Sequence, residues 1–153
     1  MTALTRRVAS VAAVVVTGLS LLAIASPASA AAYDGTDPIA TGCATGATTV
    51  RKAYGTLPGG GTIVEVELRY SSRCRTSWAR LTTIGIPACR PGDDYCGYAN
   101  VHRNSDGREY ACWTPGGGHG CYTAQVNDSG VTSYAYGVAD DGAQSASATT
   151  GSY

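Results

Sequence analysis

The sequence predicts an all-β fold, a small disulfide-stapled barrel or sandwich of about five to seven antiparallel strands with little helix. Three observations lead there. Residues 62–70, TIVEVELRY, place Val64, Val66, Leu68 and Tyr70 on one side and Ile63, Glu65, Glu67 and Arg69 on the other, the period of a half-buried strand. Downstream, short runs of β-branched and aromatic residues alternate with Gly-rich turns. Finally, six cysteines, Cys43, Cys74, Cys89, Cys96, Cys112 and Cys121, follow an export-type leader. An even count in that context reads as three disulfides, with fifteen connectivities open.

The leader comes first. Arg6 and Arg7 precede an uncharged apolar run over 8–24, and Ala28-Ser29-Ala30 is a small-x-small cleavage pattern. The run is too short and too weakly flanked for a stable membrane anchor. Secretion with cleavage after Ala30 is expected. Thr5-Arg6-Arg7 lacks the bulky apolar residues that a twin-arginine signal would show next, which favours export in the unfolded state. Without Arg6 and Arg7 the chain carries nine basic and eleven acidic residues, a net charge of about −2. Such a chain has no electrostatic footprint for nucleic acid or an anionic membrane. Residues 31–138 suit a single domain.

Within that domain, 48–54 pairs with 62–70 through the turn formers of 58–61, Pro-Gly-Gly-Gly. The stretch 71–84 is expected to open with a helical turn over 72–78 and continue as a strand. Residues 98–103 and 108–113 flank NSDG, and 121–126 and 131–138 flank NDSG, turn sequences that tolerate positive φ. Beyond 138 the periodicity fades, so 139–153 reads as a loosely ordered tail.

The stretch CWTPGGGHGCYT, 112–123, fits a metal loop, a catalytic loop or a stapled turn. Zinc sites bring cysteines two to four residues apart, a spacing absent here, so neither a metal nor any other cofactor is expected. If Cys112 ends one strand and Cys121 begins its antiparallel neighbour, their side chains lie within reach of a disulfide. Closing that loop would stabilise by roughly 2.5–3 kcal/mol. His119 then sits at a loop tip. Cys89–Cys96 would close RPGDDY, where Pro91 and Gly92 favour a turn.

Other candidate chemistry is thin. Glu65 and Glu67 share one strand face, whereas catalytic carboxylates flank a substrate from separate elements. A solvated face balanced by Arg51, Arg69 or Arg80 explains them better. NSDGRE lacks the alternating ligands of a calcium loop, and no Gly-x-Ser-x-Gly elbow occurs. The aromatic inventory stands out, with ten tyrosines, two tryptophans and no phenylalanine. Trp113, Tyr110, Tyr122, Tyr134 and Tyr136 fall on the last strands and would give one sheet an aromatic-rich face, serving either packing or binding.

YDGTDPIATGC (33–43), VELRYSSRCRTSWARL (66–81) and CYTAQVNDSGVTSYAYG (121–137) resemble the YjfA-like domains of unknown function, small secreted proteins of Streptomyces and Bacillus. The shared blocks span nearly the whole mature chain. The resemblance implies secretion, one compact domain and pairing of Cys43 with Cys74, and it brings no catalytic residues, substrate or partner. With Cys89–Cys96 and Cys112–Cys121, this completes a nearest-neighbour disulfide pattern. Two functional classes follow. The first is a non-catalytic extracellular module binding a cell-surface component, a polysaccharide or a protein, with Trp113 leading and Tyr110, Tyr122, Tyr134, Tyr136 and His119 as further contacts. The second is a small secreted hydrolase using His102 or His119.

Overall fold

The computed structural model describes residues 32–90 and 96–153. The expected leader and the turn at Pro91 and Gly92 lie outside the described residues. Among the described residues the chain forms nine strands and no helix: β1 Thr48–Thr56, β2 Thr62–Ser71, β3 Thr76–Thr83, β4 Gly97–Arg103, β5 Glu109–Trp113, β6 Gly120–Tyr122, β7 Val126–Asn127, β8 Ser133–Asp140 and β9 Ser145–Thr149. The count exceeds the expected five to seven because 120–127 breaks into two short pieces and because β9 forms. All pairings are antiparallel, in two sheets. The first has the order β1-β2-β3-β6, with β7 also on β3; the second has the order β5-β4-β8-β9. The architecture is a sandwich.

Two of the expected local hairpins form. β1 pairs β2 across the glycine turn, and β4 pairs β5 across NSDG. Where the pairing is not local, expectation and structure part. Residues 72–75 make a turn rather than a helical opening, with Arg75 at φ 55°, and β3 starts at Thr76. Val126 and Asn127 stay on β3 of the first sheet while β8 joins β4 of the second, so NDSG begins a crossover and not a hairpin. The tail is not loose. β8 runs to Asp140, and Ser145–Thr149 completes the second sheet by pairing with β8 over 136–140.

The core lies between the sheets and is asymmetric. The first sheet sends in Val64, Val66, Leu68 and Leu81; the second answers largely with Ala99, Val101, Ala135, Ala139, Ala146 and Ala148. Gly137 marks a close approach, because a Cβ there would meet Leu81 Cδ1 at 2.7 Å and Val66 Cβ at 3.0 Å. Large side chains on one sheet demand small ones opposite when packing is dense. Truncating Leu81, 1% exposed, to Ala would therefore cost about 2–5 kcal/mol. Of the expected core residues, Val64, Val66, Leu68 and Trp78 are buried. Trp78 sits opposite Arg69 in the register, on the side of β3 away from Ala79 and Leu81. Tyr70 is half-buried, its ring edge-on to Tyr153 at 5.2 Å.

Three disulfides brace this frame, Cys43–Cys74, Cys89–Cys96 and Cys112–Cys121, the nearest-neighbour pattern. Cys43–Cys74 ties the N-terminal segment to the β2–β3 turn. That segment also docks through Asp34, which accepts from Arg103 Nη1 at 2.9 Å and from the Asn127 N–H at 2.6 Å. Buried Gln125 continues the contact: its Nε2 donates to Thr36 and Thr41 Oγ1, each at 2.9 Å, and its Oε1 accepts from Thr76. Cys112 and Cys121 do not join neighbouring strands. β5 belongs to the second sheet and β6 to the first, so this bridge clamps the two sheets together at one edge. The reason is register. Cys121 lies opposite Leu81 on β3, while Cys112 lies opposite Ala99 on β4.

Candidate functional site: an aromatic face on the second sheet

Small inward residues decide where the rings go. On β4, Gly97, Ala99, Val101 and Arg103 are buried, so Tyr98, Asn100 and His102 point outward. On β8, Ser133, Ala135, Gly137 and Ala139 are buried, which turns Tyr134, Tyr136 and Val138 to the same outer face. Cross-strand register sets them side by side. Tyr98 lies between Trp113 and Val138, Asn100 between Ala111 and Tyr136, and His102 between Glu109 and Tyr134.

The result is a row of rings. Trp113 and Tyr98 have centroids 5.5 Å apart, and Tyr98 and Tyr136 6.4 Å, tilted by 60° and 59°, the offset arrangements aromatic pairs prefer. Tyr134 stacks on His102 at 4.7 Å, and His102 Nδ1 stands 2.6 Å from Glu109 Oε1. Trp113 is 54% exposed, so much of its indole meets solvent. Beside Tyr136 the face dips into a groove of about 440 Å³, lined by Asn100, Tyr134, Tyr136 and residues 149–152. A smaller depression of about 250 Å³ lies by Tyr98, between Gly97 and Asp140.

The structure brings three of the candidate residues together, Trp113, Tyr134 and Tyr136. Tyr110 is not among them: three residues from Trp113, it points to the other side of β5. There it packs against the core, its hydroxyl so near Gly35 that a Cβ would stand 2.9 Å away. Tyr122 belongs to the first sheet, opposite Arg80, where its hydroxyl donates to Asp37. His119 is exposed in the loop between the sheets, where its backbone carbonyl accepts from the Thr83 N–H and hydroxyl at 2.8 and 3.1 Å. Tyr98 and Asn100 belong to the face and were missed. The signal for them was the alternation of Tyr98, Asn100 and His102 with Ala99 and Val101, small or aliphatic residues of period two.

The outer face of the first sheet is of a different kind. Glu67, 3% exposed, accepts from Thr49 Oγ1 at 2.7 Å and from Arg80, with Lys52 Nζ at 3.6 Å. Burial pushes its carboxyl up, but the hydrogen bonds of Thr49 and Arg80 and the charges of Arg80 and Lys52 outweigh that and hold it below the usual carboxylate range. Lys52 also pairs with Glu65 at 2.9 Å. The two glutamates are thus an ion-pair node, balanced by Arg80 and Lys52; Arg69 serves Thr49 and the Ala47 carbonyl instead.

Fold and site together define a disulfide-braced β-sandwich module that carries an outward aromatic face on one sheet. The chain belongs to the family described as protein of unknown function (DUF2690), whose profile matches residues 31–136. It is similar to the uncharacterized protein YjfA of Bacillus subtilis (strain 168), 35% identical over 130 residues, 80% of either chain. No solved structure matches.

Proposed function

We propose that the protein is an exported, non-catalytic module that holds an extracellular partner, a cell-surface component, polysaccharide or protein, against the outer face of its second sheet. The observation that carries this reading is the row Trp113–Tyr98–Tyr136, turned outward by the small residues beneath it. Rings fixed on a braced sheet lose little entropy on binding, and anchors of this type dominate affinity. Export is supported by the leader-like residues 1–30, by a family match that begins at residue 31, and by three disulfides. No helix among the described residues is long and apolar enough to cross a membrane.

The test is retention of the mature protein on cell-wall and extracellular-protein fractions of a bacterial culture. Trp113→Ala should weaken retention at least tenfold, about 1.4 kcal/mol, and leave the melting temperature nearly unchanged. Retention equal to wild type would overturn the proposal. The His102–Glu109 pair is the one observation that favours a hydrolase instead. Hydrolysis of a wall or protein substrate, lost in His102→Ala or His119→Ala, would establish that second reading.

A further inference from the structure

The two outer faces differ in charge, and the difference names a ligand class. On the first sheet, Lys52, Glu65, Glu67 and Arg80 satisfy one another. On the second, the groove and the ring row contain no lysine or arginine. His102 and Glu109 close one end of the face as a pair. Asp140, at the smaller depression, accepts the Gly142 N–H at 2.6 Å. Arg51 reaches the C-terminal segment from β1 but is engaged there: Nε donates to the Ser152 carbonyl at 3.2 Å and Nη1 to that of Val50, and the guanidinium lies over the Tyr153 ring. Among the described residues, no lysine or arginine of this face is placed to compensate an anionic ligand.

One polar atom in the groove is unmatched. Asn100 Oδ1 is shut off from solvent and has no hydrogen-bond partner. Asn100 lines the groove together with Tyr134, Tyr136 and residues 149–152. Native proteins rarely leave such an acceptor unmet, and its desolvation is a standing loss to the free protein. Rotation of the Asn100 amide that turns Oδ1 into the groove would let a ligand hydroxyl or amide N–H remove that loss.

We propose that the ligand is a neutral polysaccharide, of hexose or N-acetylhexosamine units, whose sugar rings lie on Trp113, Tyr98 and Tyr136 and whose chain donates a hydrogen bond to Asn100 Oδ1. A pyranose suits both features, since its axial C–H face stacks on aromatic rings while its rim carries hydroxyl donors. This deepens the proposed function and rests on its binding face.

The experiment is titration of the mature protein, at physiological salt, with cellohexaose and chitohexaose as neutral probes and with polygalacturonate and chitosan oligomers as charged ones. Trp78 is buried and Trp113 exposed, so protection from acrylamide quenching reports on Trp113. The expected result is binding of at least one neutral hexaose with protection of Trp113. Asn100→Ala should then weaken binding at least tenfold while its melting temperature stays equal to wild type or rises, because the variant loses an unmet acceptor. A structural role for Asn100, read as a lower melting temperature with unchanged affinity, would overturn the assignment. So would binding confined to the charged oligomers. Wall retention that depends on Trp113 without any neutral-hexaose binding would overturn the ligand class and leave the binding face standing; loss of both would remove the face as well.

Discussion

Asp128 gives the sharpest test of the energetics. Its carboxylate is 6% exposed at the crossover between the sheets, where Oδ1 accepts from Ser133 Oγ at 2.7 Å. Ser133 in turn accepts from Ser77 Oγ at 2.8 Å. Burial pushes the Asp128 carboxyl up from 3.8 to about 6, against the opposing pull of the Ser133 and Ser77 hydroxyls and of Arg103. Arg103 helps little because Asp34 and Asp106 already hold it. The folded value lies above the unfolded one, so the folded protein binds this proton more tightly. The associated stability is fully present below about pH 4 and is lost as pH rises through about 6. At 1.36 kcal/mol for each pH unit, a rise from 3.8 to about 6 corresponds to about 3 kcal/mol. Asp128→Asn keeps an acceptor for Ser133 and removes the charge. Chemical denaturation from pH 4 to 8 should show the variant gaining on wild type as pH rises, by up to about 3 kcal/mol at pH 7.5. A constant difference across that range, or a variant that falls behind above pH 6, would show that the hydroxyl hydrogen bonds outweigh desolvation and would refute the argument.

Three further outcomes are expected. Replacing Cys112 and Cys121 together by Ser should cost about 2.5–3 kcal/mol, and the Cys43/Cys74 pair about 3.5–4, by the loop lengths of 9 and 31 residues; non-reducing peptide mapping should recover all three bridges. Glu67→Gln should destabilise by about 1–3 kcal/mol at pH 7, since it removes the charge that Arg80 and Lys52 face and puts an amide donor in place of one buried acceptor oxygen. Because the Glu67 carboxyl is held below its ordinary value, the loss should fade as pH falls through that lowered folded value, and denaturant midpoints at pH 2 and pH 7 will check the sign. Gly137→Ala should lower the melting temperature markedly, because its Cβ would meet Leu81 and Val66 of the opposite sheet.

Local chemistry carried much of the reading. Alternation in 62–70 and the glycine turn before it made the β1–β2 hairpin legible, and Asp106-Gly107 did the same for β4–β5. The candidate face was legible only in part. Tyr134 and Tyr136 share a side because they are two apart, whereas Tyr110 and Trp113, three apart, cannot. Their grouping with Tyr98 needs the β4–β8 pairing, which joins residues thirty or more apart and has no turn to announce it.

By itself, then, the sequence determined the strand periods, the two tight hairpins and an all-β, disulfide-braced chain, because those depend on contacts within a few residues. Only the tertiary structure decided which sheet each later strand joins: β6 and β7 go to β3, β8 goes to β4, and β9 rescues a segment whose alternation of Ser, Ala and Thr is too weakly apolar to show in sequence. That choice is made by packing, where Leu81 and Val66 require the Ala and Gly positions of the opposite sheet. The same choice turns the tyrosines outward and makes Cys112–Cys121 a clamp between sheets.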